Sequence, residues 1–116
     1  MAEPIYKVLT EAAFKEAERK GHFVGSADDI RDGFIHLSAA HQLEGTLAKH
    51  FAGREGLMLL AVDAARLGPD LKWEASRGGA LFPHLYAPLD LAAVLWVETL
   101  PLGQDGRHIL PEGVFA

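Results

Sequence analysis

The chain has 116 residues and no cysteine. That absence excludes disulfides, thiol nucleophiles and thiolate metal sites. No apolar run approaches the length of a membrane span, even at 89–97. The opening Met1-Ala2-Glu3-Pro4 is polar and unlike a signal peptide, so a cytoplasmic setting is expected. Cations are in the minority, with 11 Lys and Arg against 16 Asp and Glu and a net charge of −5. They are scattered, and a surface of that sign repels long phosphate backbones. Neither a long nucleic acid nor a membrane is expected as a partner; a small anion held by one or two cations or a helix N-terminus stays open. The six histidines include no His-x-His or His-x-x-x-His pair, and no metal is expected. Ser38 lacks the flanking glycines of a nucleophile elbow.

What is present is ordinary for a folded protein: 49% hydrophobic and 23% charged residues. This length suits one domain over 1–116 and can bury roughly two-thirds of its unfolded surface. Ile5–Leu9 reads as a strand. Thr10 caps a helix over Glu11–Lys20 with Ala12, Ala13, Phe14 and Ala17 as its apolar side, and Gly21 ends it. Ser26 caps a short helical turn, and Asp32-Gly33 turns the chain into a strand at Phe34–Leu37. Ser38 is placed as the N-cap of a helix to about Ala52, with Ala40, Leu43, Leu47 and Phe51 on its apolar face. Gly45 lies mid-helix, where tolerance at an exposed surface is the simpler reading.

Leu57–Val62 is apolar throughout, as a strand covered on both faces would be. Leu71–Glu74 reads as a shorter strand and Ser76–Ala80 as a mobile loop. Pro83 makes Phe82–Tyr86 an edge strand. Strands are also expected at Ala92–Leu100 and, after a turn at 103–106, at Arg107–Leu110. Helices early and strands late argue an α+β fold with a largely antiparallel sheet.

Two runs carry the functional signal: Gly33-Phe34-Ile35-His36-Leu37-Ser38 and Phe82-Pro83-His84-Leu85-Tyr86. In extended chain, alternate residues share a face. Each run then sets an imidazole between an aromatic ring and a hydroxyl. If the two runs converge, His36 and His84 centre a polar-aromatic cleft. Trp73 and Glu74 face opposite ways, and Glu74 is either a base beside the cleft or a surface ion-pair partner of Lys72 or Arg77. Asp28, Asp29 and Asp32 around Arg31 read as a solvated turn.

With Ile5-Tyr6-Lys7, Gly21, Phe23, Gly25-Ser26, Asp29, Gln42, Thr46, Trp73-Glu74, Pro88-Leu89 and Val94, these runs resemble a family of small bacterial proteins of unknown function, DUF952. The resemblance spans about 5–97. That family is similar in fold to the ADP-ribosyltransferases, which hold NAD in a cleft between two small, mostly antiparallel sheets. The resemblance therefore implies an ADP-ribosyltransferase-like fold, NAD as substrate, and helices mainly in the N-terminal half.

It further implies His36, His84 and Glu74 as catalytic residues. Tyr6, Phe34, Ser38, Gln42, Thr46, Trp73 and Tyr86 are implied as ligand contacts, with phosphate on Ser38 and its helix N-terminus. Two departures stand out. Tyr6-Lys7 occupies the place where many transferases carry a first-strand histidine, and no glutamate lies within Phe82–Tyr86, the nearest being Glu74 and Glu98. A non-catalytic module for a nucleotide or small metabolite is the alternative.

Overall fold

The structure, a computed structural model, describes residues 3–115. Among them, strand β1 (Ile5–Thr10) leads into helix α1 (Glu11–Lys20). The Thr10 hydroxyl accepts from the Ala13 N–H, and Gly21 ends the helix in the left-handed conformation. Ala17 is buried and Ala13 and Phe14 pack against the core, but Ala12 faces solvent. Strand β2 (His22–Phe23) is followed by helix α2 (Ala27–Asp32), strand β3 (Ile35–His36) and strand β4 (Ser38–Ala39).

A 3₁₀ turn at Ala40–Gln42 then precedes helix α3 (Leu43–His50). Next come β5 (Leu57–Val62), β6 (Leu71–Ala75), β7 (Leu81–Leu85), β8 (Leu89–Asp90) and β9 (Val94–Thr99). The α-helices thus fall in the first half of the chain. Among the described residues no helix is long and apolar enough to cross a membrane.

Among the described residues the strands form three sheets rather than two, all antiparallel: β4-β1-β5-β9, β3-β7-β6 and the small pair β2-β8. Strands of two residues carry no periodicity, so nothing in the sequence announces β2 and β8. β5 is covered on both faces, as its apolar run implies. Leu60 and Val62 enter a core with Ile5, Leu9, Ile35 and Leu85, while Leu57, Leu59 and Ala61 enter another with Tyr6, Leu43 and Leu47. The expected face of α3 is the buried one, with Ala40 and Phe51 packed against that second core.

Four expectations change. Ser38 does not cap α3; it pairs with Tyr6 in β4, and the Ala39 N–H is met by the Gln42 side chain instead. Phe82–Tyr86 is not an edge strand, because β7 runs between β3 and β6. Pro83 is tolerated there because N–H and C=O of one residue point to the same side of an antiparallel strand. Its carbonyl accepts from the Leu37 N–H, so its missing donor also faces the β3 side, and the β6 ladder loses nothing.

Ser76–Ala80 is a tight turn joining β6 to β7, closed by bonds from Ser76 N–H to the Ala80 carbonyl and from Gly79 N–H to the Ser76 carbonyl. Arg107–Leu110 forms only a bridge, Leu102 to His108, around the 103–106 turn.

One stretch serves two sheets. Ile35 and His36 pair with β7, Leu37 bonds to Pro83, and Ser38 and Ala39 pair with β1. The chain passes from one sheet to the next with Leu37 alone between the two strands.

Candidate functional site

The two histidine runs meet. His36 on β3 lies directly opposite His84 on β7, and paired residues of antiparallel strands share a face. The ring centroids are 5.7 Å apart. Phe34 stacks on His84 at 4.0 Å and tilts against His36 at 4.6 Å and Tyr86 at 5.3 Å. β6 adds Glu74, paired with Phe82 on that same face, while alternation turns Trp73 to the other.

Beside this face is a cleft of about 260 Å³. It lies where β4 ends after covering Ile5 and Tyr6, so that Lys7 and Val8 of β1 reach it. α2 forms one wall and the end of α3 the other.

The α2 wall is built on Asp29. Ser26 and Asp29 form a reciprocal cap: the Ser26 hydroxyl accepts from the Asp29 N–H, and the Asp29 carboxylate accepts from the Ser26 N–H. The same carboxylate accepts from Lys7 Nζ at 2.9 and 3.2 Å and from the His36 N–H at 3.0 Å, and meets His36 Nδ1 at 2.6 Å. Asp29 is only 2% exposed. Burial alone would raise its carboxyl, but the His36 ring, the Lys7 ammonium and the two backbone donors outweigh it and hold it well below the usual carboxylate range.

Lys7 also donates to the His36 carbonyl at 3.0 Å; burial pushes its ammonium below its ordinary value, against the pull of Asp29. The expectation of a solvated acidic turn is thus wrong for Asp29, whose side chain meets enough donors to replace water. Asp32 Oδ2 lies 3.0 Å from His36 Nε2, so both ring nitrogens of His36 face carboxylates.

His84 is differently placed. Its Nδ1 lies 2.9 Å from Glu74 Oε1, and the Tyr86 hydroxyl donates to that same oxygen at 2.6 Å. Tyr86 first and then His84 hold the Glu74 carboxyl below its ordinary value, and Glu74 raises the Tyr86 phenol.

Of the expected contacts, Tyr6, His36, Ser38, Thr46 and His84 line the cleft. Ser38 and Thr46 join their hydroxyls at 2.9 Å. Tyr6 is buried against Trp96, and burial raises its phenol. Phe34 stacks on His84, Glu74 bonds to it and Tyr86 bonds to Glu74, but none of the three lines the cleft. Trp73 is on the opposite face. Gln42 is occupied structurally: its carbonyl accepts from the Ala39 N–H and its amide donates to the Leu81 carbonyl. Ser38 is thus held in β4 and the Ala39 N–H is taken by Gln42.

The residues not anticipated are Lys7, Asp29, Asp32 and Lys49. A lysine inside the apolar run Ile5–Leu9 was the available signal, since a buried ammonium needs a carboxylate. Of the cleft cations Lys7, Arg31 and Lys49, the first two are in ion pairs and Lys49 is in none among the described residues. Among the described residues no group of three side chains is arranged to hold a metal ion.

The sequence profile of the family "Protein of unknown function (DUF952)" matches residues 8–97. The crystal structure of protein CC0527 from Caulobacter crescentus is 51% identical, covering 97% of this chain and 99% of that one, with a TM-score of 0.92. The solution structure of CC0527 is 55% identical over 90% of each chain, with a TM-score of 0.81. Among curated proteins nothing matches.

Proposed function

Because the chain belongs to the DUF952 family of proteins of unknown function, we propose a function from the cleft itself: it binds NAD or a related nucleotide. The observation that carries this reading is the convergence of His36 and His84 on one cleft that also holds a cation, Lys49, in no ion pair among the described residues. Lys49 suits a phosphate, and Phe82 puts an aromatic side chain on the cleft wall. The cleft lies between the four-stranded and the three-stranded sheet, which supports an ADP-ribosyltransferase-like reading of the fold.

Pockets for whole ligands run to roughly 300–1,000 Å³. At about 260 Å³ the cleft takes one half of a dinucleotide and leaves the other outside. For chemistry, the group we assign is His84. An acceptor hydroxyl would attack the ribose carbon, its proton would pass to His84, and nicotinamide would leave with the electron pair of the broken C–N bond.

A non-catalytic nucleotide-binding module is the second reading, and one observation favours it. Every carboxylate on the cleft wall, Asp28, Asp29 and Asp32, is already in an ion pair. None is left to steady a developing positive centre.

Calorimetric titration with NAD, nicotinamide and ADP-ribose is the test. Saturable binding of NAD or either fragment is expected, and silence for all three overturns the nucleotide reading. Release of nicotinamide on incubation with NAD separates enzyme from module.

A further inference from the structure

We infer that Tyr86 and Glu74 are positioning residues that fix which nitrogen of His84 carries its proton, and that they thereby make Nε2 of His84 a fixed hydrogen-bond acceptor in the cleft. An ionised carboxylate only accepts hydrogen bonds. With Glu74 Oε1 at 2.9 Å from Nδ1, the proton of that contact belongs to Nδ1. The Tyr86 hydroxyl, at 2.6 Å from the same oxygen, holds the carboxylate in place and in its ionised form. A neutral imidazole free in water prefers its proton on Nε2, so the relay reverses the ordinary choice.

The ring cannot easily turn away. Phe34 stacks on it at 4.0 Å, and its side chain is only 6% exposed. Glu74 and Tyr86 are absent from the cleft wall while His84 is part of it, so the Nδ1 edge is spent behind the wall. Nε2 has no partner among the described residues, and no buried side-chain nitrogen or oxygen among them lacks one, so Nε2 reaches solvent. His36 cannot share this role, because both its nitrogens face carboxylates.

A fixed acceptor at Nε2 selects a ligand that brings an O–H or N–H to that point. A ligand presenting only acceptors there would set two lone pairs against each other, and an unpaired polar group in a desolvated site is costly. A sugar hydroxyl and a primary carboxamide both qualify. Under the nucleotide reading, the ribose hydroxyls or the nicotinamide amide supply that donor. The inference rests on that reading for the ligand's identity and not for the position of the proton.

Nitrogen-15 NMR of the ligand-free full chain reads the ring directly, with the His84 signals assigned by their loss in His84→Gln. At a pH where the spectrum shows a neutral ring, the proton is expected on Nδ1 with Nε2 bare. Glu74→Ala is expected to move the proton to Nε2, and Tyr86→Phe to lower the Nδ1–H fraction with the backbone spectrum unchanged. The Tyr86 variant serves if Glu74→Ala does not fold. A wild-type ring protonated on Nε2, or a proton unmoved in both variants, overturns the inference. An Nδ1-protonated ring in a chain silent to NAD upholds it while removing the nucleotide reading.

Discussion

A carboxylate taken out of water stays charged only where donors replace the water it loses, and Asp29 draws them from Lys7, Ser26 and His36. Removing one partner of a buried pair strands the other. Asp29→Ala is therefore expected to cost roughly 3–5 kcal/mol in urea denaturation, and Asp32→Ala, on a partly exposed pair, much less than that. Asp29 also gives acid sensitivity. Its carboxyl titrates lower folded than unfolded, so its contribution is complete above the unfolded value of about 3.9 and is lost as the pH falls toward the folded one. Stability measured against pH below about 4 is expected to be flatter in Asp29→Asn than in the wild type. Lys49 is exposed, and its loss in Lys49→Ala is expected to weaken NAD binding about fivefold, or roughly 1 kcal/mol, by calorimetry.

Two glycines show how differently one residue type serves an element. Gly45 in α3 has open space where a Cβ would go, so surface tolerance is the right account of it. Gly45→Ala is expected to raise stability by about 0.5–1 kcal/mol through helix propensity. Gly25, just before the α2 cap, has a φ of +125°, and a Cβ there would lie 2.9 Å from that of Asp29. Gly25→Ala is expected to lose roughly 1–3 kcal/mol in thermal or urea unfolding and to disturb the α2 wall.

Caps and glycine stops made α1 and α2 readable, because Thr10, Ser26, Gly21 and Gly33 each act on a backbone group a few residues away. Ser38 misled for the same reason. Its type and place suit a cap, and only the long-range pairing with Tyr6 shows that β4 claims it.

At the scale of the molecule, the apolar run of β5 and the antiparallel character followed from pattern. The division into three sheets did not, since β2, β3, β4 and β8 are two residues each. The meeting of His36 with His84 was half legible. Alternation put each imidazole between a ring and a hydroxyl, but no local rule brings position 36 opposite position 84. The Asp29–Lys7 pair needed the same long-range knowledge.

The stretch 35–39 has a mechanical consequence. Since β3 is stitched to β7 and β4 to β1, and Leu37 between them is itself bonded to Pro83 of β7, no unbonded residue separates the two attachments. The sheets cannot be drawn apart like jaws without tearing the Leu37–Pro83 bond. The Leu37 amide is expected to exchange with deuterium as slowly as the β5 amides, through global opening alone. Any adjustment to an incoming molecule is then left to the rims, α2 and the end of α3, moving over a floor of fixed width.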